Sequence, residues 1–173
     1  MPDPRTTATG AGLSPSASEC TLTHLMTLLD ANLHGNIHGG VIMKLVDDAA
    51  GVVAARHSGG RAVTVSMDEM VFLVPVHIGD LINVRARINW AGRSSMEIGV
   101  RVEAEDMISG RRRHTNSCYL TFVAVDRNGR PVDVPPVIPL TADDERRFAA
   151  AKERRRRRLE ERTAEEREGE RKA

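Results

Sequence analysis

The stretch Asp30-Ala-Asn-Leu-His-Gly-Asn-Ile-His-Gly-Gly-Val-Ile-Met-Lys-Leu-Val-Asp-Asp-Ala-Ala-Gly51 decides how this chain reads. A polar loop punctuated by glycine runs directly into a long apolar segment with helical spacing. Gly39 and Gly40 mark the start of the predicted helix. Lacking side chains, they let a ligand approach the backbone where unpaired N–H groups and the positive end of the helix dipole face outward. Such an end stabilises an anion or an oxyanion. Asp47 follows Gly40 by close to two turns and so lies almost directly below that end. Donors for developing negative charge and a candidate base therefore share one helix face.

The helix itself supports this. Ile42, Leu45, Val46, Ala49, Ala50 and Val53 form a broad apolar stripe, while Lys44, Asp47, Gly51 and Ala54 share a narrow stripe of charge and small residues. On the helix pattern alone, Asp47 and Asp48 also read as solvated carboxylates of an ordinary amphipathic helix. The glycine loop in front favours a site.

Downstream of Ser58-Gly59-Gly60, where glycine supplies a stop, the period changes from 3.6 to 2. Val63, Val65 and Met67 alternate with polar residues. Ile82, Val84, Ala86, Ile88 and Trp90 do the same, as do Met96, Ile98, Val100, Val102 and Ala104, with Glu97, Arg101 and Glu103 facing out. Cys118, Leu120, Phe122 and Ala124 form one face of a last strand. Short connectors with turn chemistry at Gly79-Asp80, Gly92-Arg93, Ser109-Gly110 and Asn128-Gly129 make these strands antiparallel. A short first strand falls within Thr21–Leu29. The prediction is an α+β domain, a five-stranded antiparallel sheet wrapped around one long central helix. Its open edges predict pairing into a dimer and further assembly.

Composition bounds the function. The chain has 173 residues, a formal net charge of +1 and two cysteines. It reads as a leader of disordered composition over 1–19, one domain over 20–140, and a charged helix or tail over 141–173. Balanced charge argues for neither nucleic acid nor an anionic membrane surface, and no segment approaches a membrane span. Few cysteines suit a reducing cytoplasm. Thr141 is a helix cap with acids in the first turn. The rest of the tail, polar all round, reads as solvated or marginal. The interleaved glutamates and missing aromatics set its arginine run apart from a nucleic-acid surface.

The residues from Asp30 to His57, together with Val63–Phe72, Ser94-Ser95-Met96-Glu97 and Val132–Pro139, resemble the acyl-coenzyme A thioesterases of the hotdog superfamily. The likeness is to the cytosolic (brain-type) acyl-CoA hydrolases with two tandem domains and to their single-domain bacterial relatives. It spans roughly residues 20–150. It implies hydrolysis of a thioester to a free acid and coenzyme A. It also implies a site across a homodimer interface, pairing a loop asparagine of one protomer with a helix aspartate of the other. Those roles fall on Asn32 and Asp47, and a trimer of dimers is the implied hexamer. No cofactor or metal is implied, since the coenzyme A thioester is the substrate.

The expected chemistry follows. The Gly39 and Gly40 amides hold the oxyanion, and one such donor is worth about 3 kcal/mol. Asp47 acts as general base on water or attacks directly to give a mixed anhydride. Asn32 orients the water or the carbonyl, because an amide both donates and accepts. Asn36 and His38 are candidates for substrate contact. His34 and His38 have a spacing that permits shared zinc ligation, but no third ligand cluster accompanies them. Arg93, with Ser94 and Ser95, is the candidate for coenzyme A phosphates, and equally a solvated hairpin arginine. Met67, Met70 and Phe72 line an acyl tunnel or belong to the core. The alternative to hydrolysis is a non-hydrolytic acyl-CoA-binding sensor or scaffold on the same fold.

Overall fold

The computed structural model describes residues 12–172. The strands are β1 (Cys20–Leu25), β2 (Arg61–Met67), β3 (Asp80–Ala91), β4 (Ser95–Asp106) and β5 (Arg112–Val125). The helices are α1 (Gly39–Ser58) and α2 (Ala142–Lys172). One antiparallel sheet in the order β1-β3-β4-β5-β2 curls around α1, which is the hotdog arrangement.

The alternation in the sequence becomes an inner and an outer face. Ile82, Val84, Ala86 and Ile88 of β3, Met96 to Ala104 at every second position of β4, and Cys118, Leu120, Phe122 and Ala124 of β5 are all buried. They close on Ile42, Val46, Ala49, Ala50 and Val53 of α1, and each large aliphatic side chain removed from water contributes about 2 kcal/mol. Ala54, expected on the polar stripe, is buried too. The chain beyond β5 returns over this end of the helix, and His57 bonds the Pro135 carbonyl at 2.8 Å. α1 ends on Gly59 with φ of 67°, a left-handed stop that a side chain would strain.

Two expectations need correction. Residues 12–19 of the expected disordered leader are ordered. Leu13 bridges Val137, Pro15–Ala17 form a turn of 3-10 helix, and Pro15 and Ser18 are buried. Small residues and prolines there fill a seam beside the returning chain rather than building a core of their own. Residues 1–11 lie outside the described residues.

The second correction concerns α2, which is docked on the outer face of the sheet. Thr141 Oγ accepts from the Asp144 amide at 3.1 Å, and the Asp144 carboxylate accepts in turn from the amides of Leu140 and Thr141. Arg87 of β3 pairs with Asp144. Burial pushes the Asp144 carboxyl up, but those amides and the Arg87 charge more than offset it, and its pKa falls below the ordinary value. Further along, Ala151 is buried, and the Arg154 guanidinium lies 3.6 Å over the Tyr119 ring and Arg155 4.9 Å over Trp90. Glu97, expected to face solvent, is 2% exposed beneath the helix. It accepts from Arg154 Nη2 at 2.7 Å, from Arg158, and from Asn89 Nδ2 at 3.3 Å. The docking stripe is made of ion pairs and cation–π contacts, so a hydropathy pattern does not register it.

Candidate active site

The loop before α1 is built locally. Thr27 and Asp30 cap a short 3-10 turn reciprocally, and the Thr27 amide and hydroxyl, donating to Asp30, hold its carboxyl below the ordinary range. The Asp30 carbonyl then accepts from the His38 amide at 2.8 Å, closing a loop that turns on Gly35 with φ of 81°. Inside it, Asn32 Oδ1 accepts from the amides of His34 (2.9 Å) and Asn36 (3.3 Å). The Asn32 carbonyl oxygen is therefore committed to holding the loop. Its Nδ2 has no partner among the described residues, so the group Asn32 offers outward is a donor.

The helix N-terminus is more selective than expected. His38 is its cap, with Nδ1 accepting from the Gly40 amide at 2.9 Å. Gly40 is thus engaged, and the amide free to meet an anion among the described residues is that of Gly39. A methyl group at Gly39 would come within 3.3 Å of the Phe72 ring. Phe72 therefore lies against the glycine, where its half-exposed ring borders whatever approaches that amide. Ala31, Asn32, Leu33, His34, His38 and Gly39 line an open cleft of about 470 Å³. A slightly larger groove of about 520 Å³ runs along α2. Its walls carry the exposed ion pair of Arg156 with Glu160, and none of these groups.

Asp47 stands two turns into α1, half-buried, and accepts from Thr64 Oγ at 2.8 Å. Asp48 beside it is an exposed partner of Lys44 at 2.6 Å. Thr64 was not singled out from the sequence, because alternation with Val63 and Val65 reads it as an outward polar residue. In the structure β2 carries a bulge between Thr64 and Ser66. Thr64 faces the helix, while Val63 and Val65 are 48% and 61% exposed on the sheet edge. A hydroxyl flanked by two β-branched residues on an edge strand was the signal available.

Within one chain the structure brings Asn32, Asn36, His38, Gly39 and Phe72 together, and separately Asp47 with Thr64. Asn32 and Asp47 do not hydrogen bond to one another. Arg93, Ser94 and Ser95 sit at the opposite end, in the β3–β4 turn beside the segment that covers the C-terminal end of α1. Arg93 is 85% exposed and 3.8 Å from Asp133. Met67 and Met70 are partly buried against the core. Among the described residues no cluster of three or more His, Cys, Asp or Glu is gathered as for a metal, and no helix is long and apolar enough to cross a membrane.

The hotdog sheet holds a glycine-opened helix N-terminus with a carboxylate two turns below it, an arrangement that can meet an oxyanion and supply a base. The sequence model of the Thioesterase superfamily matches residues 34–110. An uncharacterized acyl-CoA thioester hydrolase of Bacillus subtilis is 42% identical over 116 residues, 67% of each chain. The cytosolic acyl coenzyme A thioester hydrolase of Rattus norvegicus is 38% identical over 133 residues, 76% of this chain and 35% of that protein. Among solved structures, an apo-hexameric acyl-CoA thioesterase superposes with a TM-score of 0.84 at 32% identity, covering 87% of this chain and 97% of its own. The acyl-CoA hydrolase of Staphylococcus aureus, in complex with butyryl coenzyme A and coenzyme A, superposes at 0.82 with 33% identity, covering 90% and 94%. The chain belongs to the acyl-CoA thioester hydrolases of the thioesterase superfamily.

Proposed function

We propose that this chain hydrolyses acyl-coenzyme A to a carboxylate and coenzyme A at a site completed between two protomers. The observation that carries the reading is the state of Asp47. It is a half-buried carboxylate held by one hydroxyl, with no cation on it among the described residues, below a helix end whose Gly39 amide is open. Asp47 takes the proton from a water attacking the thioester carbonyl, and Thr64 fixes the orientation of its carboxylate. The carbonyl oxygen becomes an oxyanion and is met by the Gly39 amide and the Asn32 Nδ2 of the partner protomer, two donors that share one cleft. The C–S bond breaks and coenzyme A leaves as thiolate, so no strong acid is required. Direct attack by Asp47, giving a mixed anhydride that water then opens, uses the same groups. The reaction needs no resident metal or cofactor.

Further support comes from the Staphylococcus aureus enzyme, which has been solved with an asparagine, an aspartate or a threonine replaced by alanine. The intervals between those three positions along the chain are the intervals between Asn32, Asp47 and Thr64. Val63 and Val65 on the open β2 edge suit pairing with a second copy, and the hexameric neighbours suit a trimer of such dimers. In this arrangement Arg93, Ser94 and Ser95 meet the phosphates of a substrate bound at a neighbouring protomer's site. Cys20 and Cys118 are unpaired and buried, which suits a reducing cytoplasm.

The test is thiol release from acyl-coenzyme A esters of increasing chain length, with Asp47→Asn beside the wild type. Release that disappears in the variant supports the assignment. Binding of every ester without release, in both proteins, replaces it with a sensor.

A further inference from the structure

We infer that α2 positions the active-site loop, with Arg158 acting through Asp68 to hold Phe72 against Gly39. The kinetic consequence rests on the hydrolase reading above, but the coupling itself does not.

The segment from Asp68 to Gly79 joins β2 to β3 without regular structure. It carries Val71, Phe72 and Leu73, all substantially exposed, and delivers the Phe72 ring to Gly39. Met70 and buried Val76 pack on the core, but the stretch between them turns its apolar side chains outward, so the placement of Phe72 depends on the segment's attachments. At its far end the Val76 carbonyl accepts from Ile37 and the His77 amide donates to Asp80, which Arg113 holds at 2.7 Å. In its middle the Leu73 amide donates to the Thr115 carbonyl at 2.8 Å. Thr115 is the extra residue of a bulge in β5, so its carbonyl is released from the ladder for this purpose.

At its start both attachments lead to α2. The Asp68 amide donates to the Tyr119 carbonyl at 2.9 Å, and Tyr119 lies beneath Arg154 of α2. The Asp68 carboxylate takes Arg158 Nη1 at 3.4 Å, while the same nitrogen donates to Thr121 at 2.6 Å. The Arg158 guanidinium also reaches buried Glu97. One arginine thus ties the sheet, the helix and the loop root together, four residues before Phe72. α2 has other moorings in Arg154 on Glu97, Asp144 on Arg87 and buried Ala151. Removing Arg158 should therefore loosen the loop without releasing the helix. Arg158 is a positioning residue, since it touches none of the reacting groups.

The test compares hydrogen exchange and kinetics of wild type, Arg158→Gln, Arg158→Lys and Asp68→Asn in the full chain. Arg158→Gln should speed exchange in peptides covering 68–79 about fivefold, with peptides covering 142–157 unchanged. Asp68→Asn should do the same while leaving Arg158 on Glu97, and Arg158→Lys should restore most of the protection. In turnover assays, KM for a long-chain acyl-coenzyme A should rise about fivefold in Arg158→Gln, with kcat on acetyl-coenzyme A within about twofold of wild type. Unchanged exchange in 68–79, or equal acceleration in the loop and the helix, overturns the coupling. If wild type releases no thiol from any ester, the hydrolase reading fails while the exchange comparison still decides the inference.

Discussion

Two carboxylates at helix–sheet contacts, Asp47 on the inner side and Glu97 on the outer, have opposite surroundings. Glu97 is sealed beneath α2 with two arginines and an asparagine on its oxygens. Asp47 is half-open, takes one hydroxyl, and has no arginine or lysine on it among the described residues. A carboxylate saturated by cations has no lone pair to offer a water, and its removal strands buried charge. A carboxylate oriented by one neutral donor keeps lone pairs free to accept from a water. On the proposed mechanism, spare hydrogen-bonding valence, more than burial, separates the reacting carboxylate from the structural one.

The sharpest way to break the comparison is Asp47→Asn. Turnover should fall about a thousandfold while thermal unfolding is unchanged, and near-normal turnover would remove Asp47 from the chemistry. Next comes subunit mixing. Asn32→Ala and Asp47→Ala proteins, each inactive alone, should regain about a quarter of wild-type activity once exchanged, since half the dimers are hybrids with one intact site of two. No recovery after demonstrated exchange contradicts a shared site. On the outer face, Glu97→Ala should lower the unfolding free energy in urea by about 3 kcal/mol, because two arginines lose their buried partner. Its loss of turnover should be far smaller than that of Asp47→Asn. Thr64→Val, which keeps the shape and deletes the hydroxyl, should cost about tenfold in kcat at constant fold.

The smallest effect concerns His57. Burial holds its imidazole below the ordinary value of 6.5, only partly offset by its bond to Pro135. A depressed histidine keeps the folded state neutral while the unfolded chain takes up a proton. Stability attached to His57 is therefore complete above pH 6.5 and declines as pH falls below it. Melting temperature should drop between pH 7 and 5, with a shallower slope in His57→Gln.

What the sequence made legible follows from what a repeating pattern can encode. The inner faces of β3, β4 and β5 and the stripe of α1 are set by burial, and burial writes itself as period 2 or 3.6. Asp47 and Gly39 were readable because a helix fixes the distance between them. Thr64 was hidden because one inserted residue in β2 reverses which side chains face inward, and a bulge has no compositional mark here. Docking of α2 was hidden for a different reason. Asp144, Phe148, Ala151, Arg154 and Arg158 share a helix face, but that face is charged, and its partners Glu97, Tyr119 and Trp90 are scattered over three strands. The engagement of Gly40 by His38 depends on one imidazole rotamer, which no spacing specifies.

Gly99 draws its meaning from the second bulge, in β3, where Asn89 is the extra residue against β4. Its own φ is not in the left-handed region, so the backbone does not ask for glycine there. A methyl group at this position would sit 2.7 Å from Asn89 Nδ2, the donor that meets Glu97. In the history of such a chain the two positions are therefore ordered events. Asn89 has to shrink, or swing its amide off Glu97, before residue 99 can grow, and a larger residue 99 then stands where that amide was.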